Sequence, residues 1–597
     1  MGIGGRLLSR IFYKINRRYY WHQFPFPIAF LNLVALRINL RQKNLIDTTS
    51  IEPPAPPADS FGYDIRRFRT PDGSYNDPAY PAMGMKGVRF GRNVAIEKTW
   101  PERAEIMAPN PRVISRRLLA RREFIPARSL NLLAAAWLQF QVHDWFSHGK
   151  NEKKFHIIPL DPDSDDWPGN GIVVTSTKWD PVTGPSDGSC PPTYVCDDSH
   201  WWDASQVYGD TLERQGMLRA LEGGKLRLTE DGHLPLDARN IDLTGNNNNW
   251  WIGLSIVHTL FAREHNTICD MLAKAHPDWN DERLYQTARL VNAALIAKIH
   301  TIEWTPTLLD TPLLRRAMRG NWWGMLGEWV RKKIGRLTDN DIFSGIVGSP
   351  TDHHGARYAM TEEFTAVYRM HPLMPDEFAI KDVKTGQAER SYTIADVAAG
   401  KARQVIDKEG FANVLYHLAT ANPGALVLRN YPNGLRDLIR QDESGVRVDM
   451  AALEIFRDRE RGVPRYNEFR ELLDMPPIKS FEELAPKDPE LAEEIRKIYG
   501  GDINKVDTLV GCLAETPPPG FAFSDTAFRI FILMASRRLK SDRFYTTDFT
   551  PEIYSEGGMD WVMNRTFADV LKEQCPEIAA LVPEDKSPFA PWTGPLT

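Results

Sequence analysis

Cysteine is scarce: five residues in 597, Cys190, Cys196, Cys269, Cys512 and Cys575. A set so small, odd and scattered excludes a disulfide-stapled secreted domain and favours a reducing compartment, the cytoplasm. Only Cys190 and Cys196 lie close enough to suggest a pair, and two free thiols in a loop is the simpler reading. Long apolar runs are missing too. The longest candidate, Pro25 to Leu36, holds two prolines and stops at Arg37, short of the roughly 18 to 20 residues that span a bilayer. Nor is there an excess of positive charge, because 73 Lys and Arg face 78 Asp and Glu. A formal charge of −5 argues against nucleic acid as the main partner, since phosphate binding needs a clustered basic surface. What remains, 42% hydrophobic and 25% charged residues, is the composition of a globular protein with ample core material.

One segment departs from the balance. Every charged residue from Met1 to Lys43 is basic (Arg6, Arg10, Lys14, Arg17, Arg18, Arg37, Arg41, Lys43), with Leu7, Leu8, Ile11, Phe12 and Ile15 at helical spacing beside them. This predicts a basic amphipathic helix, either packed on the body or lying on a membrane surface. It has no small-residue cleavage site of a secretory signal, and Arg6 breaks the myristoylation pattern that Gly2 suggests. Residues 48 to 62 (TTSIEPPAPPADSFG) read as an extended proline-rich strap. The chain therefore divides into an arm and strap, 1–62, and a catalytic body, 63–597.

In the body, helical apolar spacing dominates over Leu130 to Phe146, Ile252 to Ala273, Glu282 to Leu309, Thr361 to Tyr368 and Phe521 to Leu539. Strand-like alternation is scarce, so the expected fold is a single, mainly α domain with few short strands. The acidic stretch Ser480 to Gly500 reads as a solvated surface helix.

Three groups of residues suggest chemistry. Tyr368 and His371 are three apart, the spacing that puts two side chains on one helical face, and imidazole is a common axial ligand of haem iron. Gln139 and His143 are four apart on a second helix, where a histidine could move a proton. Asp144 turns away from them, and Ser199, Trp201, Asp203 and Ser205 follow at alternate positions with oxygens suited to Ca²⁺. His258, His265, Arg263 with Glu264 as an ion pair, and the turn His353-His354-Gly355 read as structural.

The runs QFQVHDW, WWDASQVYG, AREHNTICDML, YRMHPLMPDEF and RDRERGVPRYNEFREL together resemble the peroxidase–cyclooxygenase superfamily, and within it the fatty-acid alpha-dioxygenases, from about Ala120 to Trp561. The resemblance implies a helical fold around a b-type haem, with His371 as proximal ligand, His143 as distal histidine beside Gln139, and Tyr368 as the radical-forming residue. It also implies a fatty-acid carboxylate clamp of His300, Thr305 and Arg538, with Arg543 as a less fitting competitor. A peroxide would activate the haem, the tyrosyl radical would remove a C2 hydrogen, and O₂ would add to give a 2-hydroperoxy acid, which can lose CO₂ to leave a shortened aldehyde.

Two departures sort the chain within the superfamily. Halide-oxidising relatives carry arginine where Tyr368 stands and an acid where Val142 stands, and Gly245 to Trp251 (GNNNNWW) offers neither an acid nor an arginine. Non-covalent haem and weak peroxidase character follow as expectations. The alternatives are a cyclooxygenase-like attack on a mid-chain carbon, a peroxidase of small donors, and a haem-binding or membrane scaffold without turnover.

Overall fold

The computed structural model describes residues 3–48, 52–102, 104–163, 165–180, 190–439 and 445–594. The side chains of Leu7 and Leu8, and residues 49–51 of the strap, lie outside the described residues.

Helices carry the architecture. The sheets among the described residues are three antiparallel pairs: Lys150–Ile158 with Ile172–Thr177, Glu377–Lys381 with Ala388–Thr393, and Leu438–Ile439 with Arg447–Val448. At the centre, the helix Ile252–Ala275 packs on Asp281–Ile299 and on Leu132–Val142. The last of these (LLAAAWLQFQV) is apolar nearly all round, as a helix enclosed by others must be. It starts where Asn131 accepts a hydrogen bond from the Ala134 N–H at 3.1 Å, a side-chain N-cap. His143 follows it directly and keeps helical dihedrals, φ −65° and ψ −23°.

The expected helix Glu282 to Leu309 is not uniform. After Ile299 it widens into a π turn over His300–Trp304, then resumes as Thr305–Leu308. Pro306 has no N–H to return to the preceding turn, and the Thr305 N–H reaches back to the His300 carbonyl, five residues away. Single π turns inside α-helices often mark functional positions.

A second difference concerns Tyr368 and His371. The helix capped by Thr361 ends at Val367, Tyr368 is its C-cap (φ −88°, ψ 9°), and His371 opens a separate 3₁₀ turn, His371–Leu373. The two do not share a turn of α-helix. Pro372 keeps an α-helix from running through this stretch, because it has no N–H to give the Tyr368 carbonyl four residues back and its ring would crowd that carbonyl.

The arm is docked. Its helices Ile3–Asn16 and Phe26–Lys43 pack together, joined by Asn16 Nδ2 donating to Asn32 Oδ1 at 2.7 Å. Leu33, Leu36 and Leu40 enter the main core, and the buried Trp21 donates its indole N–H to Asp525 at 2.7 Å. The acidic stretch forms two short helices, Phe481–Leu484 and Pro489–Ile498, and the second buries Ala492 and Ile495 while showing acids to solvent. Among the described residues, no helix is long and apolar enough to cross a membrane, and the five cysteines are free thiols.

Candidate active site

Tyr368 is 6% exposed, and its phenol oxygen is buried without a hydrogen-bond partner. A hydroxyl in that state costs about 1–3 kcal/mol, so a purely structural role is a poor account of it. Its ring stacks on Phe531 at 5.5 Å and meets Phe364, Trp145 and Phe146. Burial pushes the phenol's pKa well above its usual value, so it holds its proton at every physiological pH.

His371 lies with Nδ1 2.6 Å from a carboxylate oxygen of Glu454, in ion-pair contact but off the line of a hydrogen bond. Glu454 is buried, on the helix Met450–Glu460. Arg369 stands 3.9 Å from it and pairs with Asp458 at 2.8 Å. A carboxylate beside one imidazole nitrogen orients the ring and raises the basicity of the other, the usual support of a metal-bound histidine. Sequence reasoning missed Glu454, which lies three residues before the RDRERGVPRYNEFREL run.

At the end of the Leu132–Val142 helix, His143 Nε2 donates to the Asn248 carbonyl, Asn246 donates to the His143 carbonyl at 2.7 Å, and Gln139 donates to the Asn249 carbonyl at 3.2 Å. The GNNNNWW segment, read from sequence for what it lacks, thus holds His143 and Gln139 by backbone carbonyls. His143 Nδ1 is buried without a partner, and burial lowers the pKa to about 4. The ring is neutral near pH 7, as a proton acceptor must be. His258 packs beside it at 5.8 Å between ring centres and bonds Thr244 at 3.0 Å.

The expected head-group residues come together around two tryptophans. Trp145 lies 3.7 Å under the Arg538 guanidinium, 6.2 Å from the His300 ring and 5.9 Å from Tyr368. Trp202 also touches both Arg538 and His300. Arg538 is 1% exposed; Nη2 donates to the Trp201 carbonyl at 3.0 Å, while Nε and Nη1 are buried without partners. Thr305 is close by in sequence, but its hydroxyl donates to the His300 carbonyl at 2.7 Å. It must rotate to serve a ligand. Arg543 is engaged elsewhere, with Asp548 and the carbonyls of Arg66 and Ile65.

Asp144 and Asp203 are buried near one another. Asp144 accepts from Ser205 Oγ at 2.6 Å and the Gln206 N–H at 2.9 Å, and its other oxygen has no partner. Asp203 accepts from Ser199 Oγ at 2.8 Å and the Ser205 N–H at 3.1 Å. Burial first, and Asp203 second, raise the Asp144 pKa. The described residues contain no group of three or more His, Cys, Asp or Glu placed to hold a metal.

Other expectations resolve as structure. His265 is fixed by Tyr208 and the Gly224 carbonyl, both at 2.9 Å. His353 and His354 pair with Asp77 and Asp352. Arg263 and Glu264 do not pair with each other: Arg263 donates to the carbonyls of Gly232 and Gln574, while Glu264 pairs with Arg565 at 2.8 Å. Neighbours on a helix point about 100° apart, which is why adjacency was a poor guide.

Comparison with known proteins decides the family. Residues 68–585 match the animal haem peroxidase family. An alpha-dioxygenase of Oryza sativa is 41% identical, with 97% of this chain and 94% of the relative covered. The chain belongs to the animal haem peroxidases, among their alpha-dioxygenases. The crystal structure of a tyrosine-to-phenylalanine variant of the Oryza sativa fatty acid alpha-dioxygenase with palmitic acid superposes with a TM-score of 0.91 at 39% identity, covering 100% of this chain and 98% of that one. The Arabidopsis thaliana fatty acid alpha-dioxygenase superposes equally well, TM-score 0.91 at 34% identity, over 100% and 94%. An animal haem peroxidase holds haem, and the chemistry of the residues here fits it: a histidine backed by a carboxylate, His371, and a buried, neutral histidine with an unpartnered nitrogen, His143.

Proposed function

We propose that this protein is a haem-dependent fatty-acid alpha-dioxygenase. One observation carries the reading. Trp145 joins the partnerless phenol of Tyr368 to the partly partnered, buried guanidinium of Arg538, so an anion held by Arg538 presents its neighbouring carbon to the phenol.

His371 would ligate the haem iron, with Glu454 orienting the ring, and His143 would serve as the proton-moving histidine of the site. Haem supplies one-electron oxidation of a phenol once a peroxide has activated it, and Val142 offers no carboxylate for an ester, so the group is held without covalent bonds. His143, neutral and with Gln139 beside it, takes the peroxide proton. Tyr368 gives up its O–H hydrogen and then takes one from C2 of the fatty acid. O₂ adds at C2, and the peroxyl radical recovers a hydrogen from Tyr368, which balances the reaction as acid plus O₂ to 2-hydroperoxy acid. Arg538, His300 and a rotated Thr305 hold the carboxylate, and this positioning selects the carbon attacked. Oxygen uptake with palmitate, followed by mass analysis, is expected to show two added oxygens at C2 or the aldehyde one carbon shorter. Consumption confined to polyunsaturated acids would instead favour the mid-chain alternative, and none at all a peroxidase or scaffold.

Two further parts belong to this reading. Asp144, Asp203, Ser199 and Ser205, with the Trp201 carbonyl, would bind Ca²⁺, and the unpartnered Asp144 oxygen supports it. The basic arm would contact an anionic lipid surface. Ile11, Tyr19, Phe26, Ile28 and Leu31 are exposed, and Arg37 and Arg41 tie their helix to Asn321 and Asp341 at 2.9 and 3.3 Å. Around Asp341 a second segment also exposes Leu326, Trp329, Ile334, Leu337 and Phe343. Deleting the arm would strip core residues. The combined change Phe26→Ser, Ile28→Ser and Leu31→Ser leaves the core intact and is expected to abolish co-sedimentation with phosphatidylserine vesicles; undiminished sedimentation would refute the contact.

A further inference from the structure

The head-group site has a second layer. On the His143 helix, Trp137 is fully buried and directs its indole N–H at Nδ1 of His300, 3.3 Å away. An indole N–H can only donate. Nδ1 must therefore be the accepting nitrogen, and the ring's single proton sits on Nε2. Burial, with Arg538 second, holds the imidazole's pKa well below its usual value, so no second proton is present near pH 7. The ring plane is held as well: Trp304 stacks on it at 4.4 Å and Trp202 meets it edge-on at 5.2 Å.

We propose that Trp137 is a positioning residue that locks His300 as the Nε2–H tautomer, so that His300 and Arg538 together present only donors and favour the carboxylate ion. Arg538 contributes donors alone, through Nε and Nη1, and His300 as locked contributes another. A carboxylate has only acceptors and satisfies all of them. A neutral amide carries its own N–H groups, which find no acceptor on either Arg538 or the locked His300, and the hydroxyl oxygen of Thr305 can take only part of them, a mismatch that discriminates against the amide. Without Trp137's N–H, the other tautomer would give such a head group an acceptor. The inference rests on the fatty-acid reading above and adds the device that reads the charge.

The test replaces one atom: Trp137→3-benzothienylalanine puts sulfur where the indole has N–H and keeps the shape. The KM for palmitate and the inhibition constant of palmitamide are measured on the haem-loaded protein. KM is expected to rise about five-fold, the worth of one neutral hydrogen bond, while palmitamide binds no worse, so the selectivity ratio narrows by at least that factor. Equal weakening of both ligands, as a packing defect gives, or an unchanged ratio would overturn the proposal. If the natural protein fails to oxygenate palmitate, the fatty-acid reading falls. Calorimetric binding of the two ligands still reads the ratio, so the two failures are distinct.

Discussion

Tyr368→Phe is expected to lose essentially all oxygenation while haem binding and the Soret spectrum persist. The change removes one atom, the phenol oxygen, and leaves the ring on Phe531, Trp145 and Phe364. Because that oxygen is buried without a partner, its removal relieves a desolvation penalty of about 1–3 kcal/mol. Thermal unfolding should therefore occur at the same temperature or higher. Loss of activity with undiminished stability is what a functional atom gives, whereas a structural hydroxyl would show the reverse. Oxygen electrode and calorimetric traces on the same preparation check both halves, and retained palmitate oxygenation in the variant would refute the radical role.

Arg538→Leu carries the second largest effect. Charge-assisted hydrogen bonds contribute about 1.5–3 kcal/mol each, so losing two donors to a carboxylate predicts a fall in kcat/KM of roughly a hundred-fold or more. Most of it should appear in KM. Arg538→Lys should restore little, because an ammonium cannot present two donors in a planar fork over Trp145. Arg543→Leu serves as the contrast. Its guanidinium is committed to Asp548 and to two carbonyls, so it should lower the unfolding temperature and leave the KM of the folded fraction unchanged. Steady-state kinetics on all three variants decides between the two arginines, and an unchanged KM in Arg538→Leu would rule out the clamp.

Much of this was legible in the sequence because its cause is local. The helix Ile252–Ala275 and the helix that leads into His143 follow from apolar spacing alone. His143 and Tyr368 lie in runs whose order is distinctive, and His300 and Arg538 were inferred from the resemblance those runs carry. What could not be read depends on how the chain meets itself at a distance. Glu454 lies far along the chain from His371, and no local pattern points an acid at an imidazole. The Asn248 carbonyl that holds His143 is backbone, invisible to any argument from residue types. The shared turn expected for Tyr368 and His371 failed because Pro372 outweighs the spacing. The π turn at His300 required a pattern of backbone hydrogen bonds that apolar periodicity does not encode.

On the proposed reading, in which Trp145 joins the carboxylate-holding Arg538 to Tyr368, distance in the substrate is counted from its acid end. The far end of the chain, its length or its double bonds, has no part in choosing the carbon, so acids of many sizes should all react at the same place. An aldehyde formed this way, once oxidised to the acid by another enzyme, would fit the same ruler again. Successive rounds would then trim a fatty acid by single carbons, giving odd-numbered chains from even-numbered ones.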